Sequence, residues 1–131
     1  MNNITIEERG AAFIREWYRL IDSKAPFETL EKLVDRDKLT VDFPGNQMNF
    51  EGFRNWYAAQ SLGYTSCHHI HHIQVRQEAG QLKIFAEITW QATSCEGIPI
   101  TLYPNVTVCL SCETGRVIYY GCVDRVPVAA M

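Results

Sequence analysis

All four histidines of the chain fall within Cys67-His68-His69-Ile70-His71-His72. Histidine is the only side chain whose unperturbed pKa lies near neutrality, which suits it to proton transfer and to metal ligation. The stretch reads as a β-strand, in which successive side chains point to opposite faces. His68, Ile70 and His72 then share one face, and His69 and His71 the other. His69-x-His71 could offer two imidazoles to one metal ion, but a site needs further ligands and no nearby cluster supplies them. Proton transfer is the stronger reading, and it depends on which histidines face inward and which acid they meet.

The other reactive residues are less specific. Five cysteines (Cys67, Cys95, Cys109, Cys112 and Cys122) cannot all pair, and Cys109-x-x-Cys112 lacks the second pair of a metal site. They read as buried free thiols behaving as small hydrophobes. Asp42 sits at a strand end with parity opposite to Phe43, so only one of the two can face a pocket. Trp17, Tyr18, Trp56, Tyr57, Trp90 and Tyr103 could wall a pocket for a flat apolar ligand, although rings at such spacing also build plain core.

The elements that must position these groups follow from caps and periodicity. Thr5-Ile6-Glu7-Glu8 is a capping box, and Phe13, Trp17, Leu20 and Ile21 then recur at helical spacing. Asp22-Ser23-Lys24-Ala25 ends that pattern, and Pro26 opens a short second helix through Phe27, Leu30, Leu33 and Val34. Residues 39–43 alternate as a strand that stops at Pro44-Gly45. Asn49 is a good N-cap for a third helix through Phe53, Trp56 and Tyr57 to Gly63. Residues 65–77, 82–93, 98–111 and 116–126 read as strands separated by turns at Gly80, Gly97 and Gly115. Helices first and a long antiparallel meander after is an α+β plan, one domain over 1–131. Apolar residues on both faces of 82–93 and 98–111 point to a homodimer that covers the outer face.

Composition narrows the partners. With 47% hydrophobic residues, 21% charged and a net charge of −3, the chain has no basic run to engage nucleic acid or an anionic membrane surface. Its apolar stretches are far shorter than a bilayer span, and Met1-Asn2-Asn3-Ile4 has no basic n-region. A cytoplasmic location is expected.

The order of elements resembles the nuclear transport factor 2-like (cystatin-like) superfamily. The residues that carry the likeness are the aromatic first helix, the strand closing in Asp42-Phe43-Pro44-Gly45, and the helix entry Phe50-Glu51-Gly52-Phe53-Arg54-Asn55-Trp56-Tyr57. The resemblance covers nearly the whole chain and implies a cone: three helices packed on a strongly bent, mainly antiparallel sheet around a pocket. Within the superfamily, Glu16-Trp17 followed by Asp22-Ser23-Lys24 is similar to the SnoaL-like and scytalone dehydratase-like branch. That likeness implies that Asp22 orients His68 and that Asn105 contacts substrate. The two tyrosines that hold water in that branch are replaced by Ile21 and Phe43, and its second active-site histidine has no counterpart near Trp90. Ketosteroid isomerase matches less well, since its tyrosine and two aspartates fall near Trp17, Phe43 and Asn105.

The resulting expectation is a cofactor-independent dehydratase, cyclase or hydrolase acting on an apolar ring compound. His68 and Asp22 are its catalytic pair, and Trp17, His72, Trp90 and Asn105 bind substrate. The alternative is a non-catalytic module of the same fold that binds a small apolar or aromatic ligand or forms a dimeric interface.

Overall fold

The computed structural model describes residues 4–124. Helix α1 spans Ile6–Asp22, α2 Phe27–Glu31 and α3 Phe50–Gly63. The strands are β1 (Thr40–Phe43), β2 (Asn46–Met48), β3 (Tyr64–Glu78), β4 (Gln81–Ser94), β5 (Pro99–Leu102), β6 (Pro104–Ser111) and β7 (Val117–Asp124). Residues 125 and 126 of the expected last strand, and residues 1–3 at the start, lie outside the described residues.

The Thr5 hydroxyl accepts the Glu8 backbone N–H at 3.1 Å, satisfying one of the free donors of α1. The Glu8 carboxylate takes the Thr5 hydroxyl proton instead of a backbone N–H. At the other end α1 stops in a Schellman turn. Lys24 adopts φ 56°, its N–H reaches the Ile21 carbonyl, and the Ala25 N–H reaches the Leu20 carbonyl. The Tyr57 hydroxyl from α3 donates to the Ala25 carbonyl and ties this turn to the third helix. Asn49 accepts the Gly52 N–H at 3.0 Å and starts α3 as its sequence implied.

The sheet is curved and mixed, in the order β2-β1-β7-β6-β4-β3, with β5 also paired to β4. Every pairing is antiparallel except β1 with β7. The sequence reading missed β2, which returns along β1 through a turn where Gly45 takes φ 74°. It also read 98–111 as one strand. That segment breaks at Tyr103, so β5 pairs with one end of β4 and β6 with the other.

Helices and sheet share one core that includes Ile14, Trp17, Leu30, Phe53, Ile84, Ile88 and Val108. Gly10 lets α1 approach β3 closely, because a Cβ there would stand 2.5 Å from a Val75 methyl. On the sheet's outer face Lys83, Glu87, Asn105 and Thr107 surround Phe85, so that face is mixed and not the apolar surface its alternation suggested.

No helix among the described residues is long and apolar enough to cross a membrane. The cysteines differ from the expectation of buried thiols. Cys67, Cys95 and Cys112 are exposed, Cys122 is half-buried and Cys109 is buried.

Candidate active site

Asp22, the last residue of α1, faces β3. Its Oδ1 lies 2.6 Å from His68 Nδ1, and its Oδ2 accepts the His68 backbone N–H at 2.8 Å. Ser66 Oγ adds a longer donor at 3.4 Å. Because β3 is an edge strand, the Asp22 carboxylate satisfies a backbone donor that no neighbouring strand reaches. An ionised carboxylate only accepts, so the proton between the pair belongs to Nδ1, and in the neutral imidazole Nε2 then carries the lone pair. Both side chains are largely enclosed, His68 12% and Asp22 22% exposed.

The Tyr18 ring stacks on the imidazole at 4.2 Å between centroids, and the Trp90 ring stands 6.4 Å away at a tilt of 41°. The Tyr18 and Tyr120 hydroxyls are bonded to each other at 2.9 Å. Burial, then the neighbouring phenol, holds the Tyr18 hydroxyl well above its ordinary pKa, and burial does the same to Tyr120. Burial and two nearby carboxylates push the Cys122 thiol up to about 11. At neutral pH these three groups are uncharged.

His68, Tyr18, Tyr120 and Cys122 line a cavity of about 230 Å³ between the helices and the sheet. Phe43, Trp56, Trp90 and Leu102 give it apolar walls, and Gln60 and Asp124 add polar groups. Ile21 and Phe43 both belong to the lining.

Three residues expected in the pocket lie elsewhere. Trp17 is fully buried, stacked between Phe13 and Phe53 on the core face of α1. His72 is turned outward by a bulge: Ile70 pairs with Ile88 and His72 with Glu87, so His71 is the extra residue and the alternation resets. Asn105 alternates with the buried Val106 and so also faces out. Both line an open trough of about 390 Å³ on the outer face of the sheet. Trp90 lies on the cavity wall.

His69 and His71 bond Gln91 and Thr89, and no group of three or more metal-ligating side chains forms among the described residues. Asp42 faces out and accepts the Tyr119 hydroxyl proton, leaving Phe43 for the cavity.

The sequence reading passed over Tyr120 and took Cys122 only as a buried thiol. Their shared strand parity was visible, but a second bulge hides its sense. Leu110 pairs with Val117 and Cys109 with Tyr119, which leaves Ile118 unpaired. Extrapolation from the buried Val117 puts the wrong tyrosine inside.

Solved structures agree closely in fold at low sequence identity. A superfamily protein from Salmonella enterica serovar Typhimurium LT2 superposes with a TM-score of 0.81 at 10% identity, covering 94% of this chain and 93% of its own. The chain has the nuclear transport factor 2-like fold. A provisional scytalone dehydratase from Novosphingobium aromaticivorans gives 0.78 at 12% identity over 92% of this chain and 85% of its own. The epoxide hydrolase/cyclase-like enzyme SalBIII, linked to pyran ring formation in salinomycin, gives 0.74 at 10% identity over 91% and 92%. No family model matches the chain, and no curated protein matches it by sequence.

The tyrosine pair generates a pH prediction. A phenol of the unfolded chain ionises near pH 10, whereas Tyr18 and Tyr120 stay protonated above that in the folded chain. Beyond about pH 10 the unfolded state therefore binds fewer protons. The stability present below that pH is lost as pH rises towards the folded values. A phenolate absorbance titration of the six tyrosines should show two that ionise only as the fold melts. All six titrating reversibly near pH 10 with the fold intact would contradict this.

Proposed function

We propose that this protein is a cofactor-independent enzyme of the dehydratase, cyclase or hydrolase type acting on an apolar ring compound. The observation that supports it is the largely enclosed Asp22–His68 pair, whose imidazole forms part of the cavity wall. In this reading His68 Nε2 removes a proton from carbon or water, and Asp22 holds the imidazolium that forms. For an elimination, the C–O bond then breaks and the departing hydroxide recovers the proton as water. The superposed dehydratase and epoxide hydrolase/cyclase-like structures favour this family of reactions. The free thiols, three of them exposed, suit a cytoplasmic setting.

A non-catalytic ligand-binding module is the second reading. It is favoured by Ile21 and Phe43, which make the cavity apolar where the dehydratase-like resemblance implies tyrosines.

The two readings separate in one assay. Hydroxylated and epoxidised ring compounds are incubated with the protein, and loss or gain of water is followed by mass spectrometry. Turnover should fall roughly 10²- to 10⁴-fold in His68→Ala while circular dichroism stays native. Undiminished activity in His68→Ala would remove the base assignment. Binding across the panel without turnover would favour the module.

A homodimer through the outer face of the sheet is also proposed. Arg76 stacks over Phe85 on that face, and its cross-strand neighbour Lys83 is ion-paired with Glu78 at 2.9 Å. A two-fold axis near Phe85 would cover that ring with its counterpart from the second copy. Sedimentation at micromolar concentration should give twice the 15.0 kDa chain mass, and a monomer would exclude this assembly.

A further inference from the structure

Asp22 fixes where the His68 imidazole is tethered but not how the ring is tilted. Its carboxylate grips the strand through the His68 backbone N–H and the ring through Nδ1. The torsion that swings an imidazole about Cβ–Cγ is soft, and one bond at Nδ1 leaves the ring free to tip about the line of that bond. Tipping displaces Nε2. A base must hold its proton-accepting atom in place, because misplacement by about an ångström can cost up to about 10²-fold in rate. The Tyr18 ring supplies the missing constraint. Its centroid lies 4.2 Å from that of the imidazole with the planes 25° apart, a stacked pair. A ring lying against one face blocks the swing towards that side and favours the near-parallel tilt. Tyr18 and Asp22 are four residues apart on α1, so both reach out from the same side of the helix. One helical turn thus delivers an in-plane contact and a face-on contact to the same imidazole.

The Tyr18 ring is itself held at both ends. Its backbone belongs to α1, and its hydroxyl is bonded to that of Tyr120 at 2.9 Å. Tyr120 is wedged against Trp17, Phe43 and Phe53 with the ring planes 84–90° apart, so the far end of the bond is a fixed post. Both phenols are buried, which limits competition from water and keeps them protonated near neutral pH. We infer that Tyr18 is a positioning residue: its ring, pinned through the Tyr120 hydroxyl, sets the direction of His68 Nε2. Tyr18 acts through the imidazole and needs no contact with a ligand. The role of Nε2 as base rests on the function proposed above; the hold of Tyr18 on the ring does not.

The test follows the His68 ring by proton and nitrogen-15 NMR in the wild type and in Tyr18→Phe, Tyr120→Phe and Tyr18→Leu. Face-on stacking moves ring protons upfield, and a fixed tilt keeps the Nδ1 proton bonded and slow to exchange. In the wild type the carbon-bound ring protons of His68 should lie upfield of those of His69, His71 and His72. Tyr18→Phe and Tyr120→Phe each keep the stack and lose only the pin. Both should retain the upfield shift and lose a similar part of the Nδ1 protection. Tyr18→Leu should lose the shift and most of the protection, with circular dichroism and the other three histidines unchanged. On a compound that the wild type turns over, Tyr18→Leu should lower kcat by up to about 10²-fold with KM held, and Tyr18→Phe should recover most of it. Protection equal to the wild type's in Tyr18→Leu overturns the inference. So does full protection in either phenylalanine variant, which decides the matter if Tyr18→Leu does not fold. The expected NMR pattern in a protein that turns over none of the ring compounds supports the positioning role and overturns the base reading alone.

Discussion

The Asp22 carboxylate carries more of this structure's logic than any other group. It stands at the C-terminal end of α1, where the helix dipole disfavours negative charge, so helix stability does not account for it. What holds it there is β3: the His68 backbone N–H, the His68 ring N–H and, at longer range, the Ser66 hydroxyl. The same carboxylate thus docks a helix end on an edge strand and fixes one histidine's orientation and tautomer. A second point of close approach, Gly10 against Val75, lies about three turns back along the helix. Between these two points α1 has little freedom to slide along β3, and the Schellman turn bonded by Tyr57 prevents the helix from running past Asp22.

The interior around this contact divides into dry and polar halves. Phe13, Trp17, Phe53 and Trp56 stack in sequence at 5.9–6.0 Å, and Phe43 meets Trp56 at 5.0 Å. This ladder runs from the hidden core to the cavity wall and joins α1, α3 and β1. Tyr18, Tyr120, Cys122 and His68 form the opposite, polar half. Two bulges and one strand break shape the sheet over the cavity. The break at Tyr103 brings both Leu102 and Pro104 to the lining, and the bulge at Ile118 turns Tyr120 inward. Bulges re-aim side chains near functional sites at the expense of regular pairing, and both effects are present here.

Those irregularities also explain which parts of the molecule were legible in the sequence. Caps, breaks and turn glycines are local signals, so the limits of α1 and α3 and the positive-φ turns at Gly80, Gly97 and Gly115 could be read directly. Strand parity is a propagated signal that one inserted residue inverts. It placed His72 beside His68 because nothing in His71-His72 marks a bulge, and it gave no means of choosing Tyr120 over Tyr119. Trp17 illustrates a different limit. Its helical spacing shows that it is inward, but inward at that turn of α1 means the core, while the cavity lies one residue on at Tyr18 and one turn on at Ile21. The closeness of Asp22 and His68, 46 residues apart, came from the family resemblance and could not have come from spacing.

The central claim is that Asp22 holds His68 with the proton on Nδ1 and leaves Nε2 as the basic atom. Nitrogen-15 NMR of the histidine rings measures this directly, because the two nitrogens of each ring report their protonation separately. The account predicts that, among the four histidines, His68 carries its ring proton on Nδ1 and that this proton is protected from exchange. His68 observed as the Nε2–H tautomer, or with its ring proton exchanging as fast as the ring protons of the exposed His69 and His71, would contradict it.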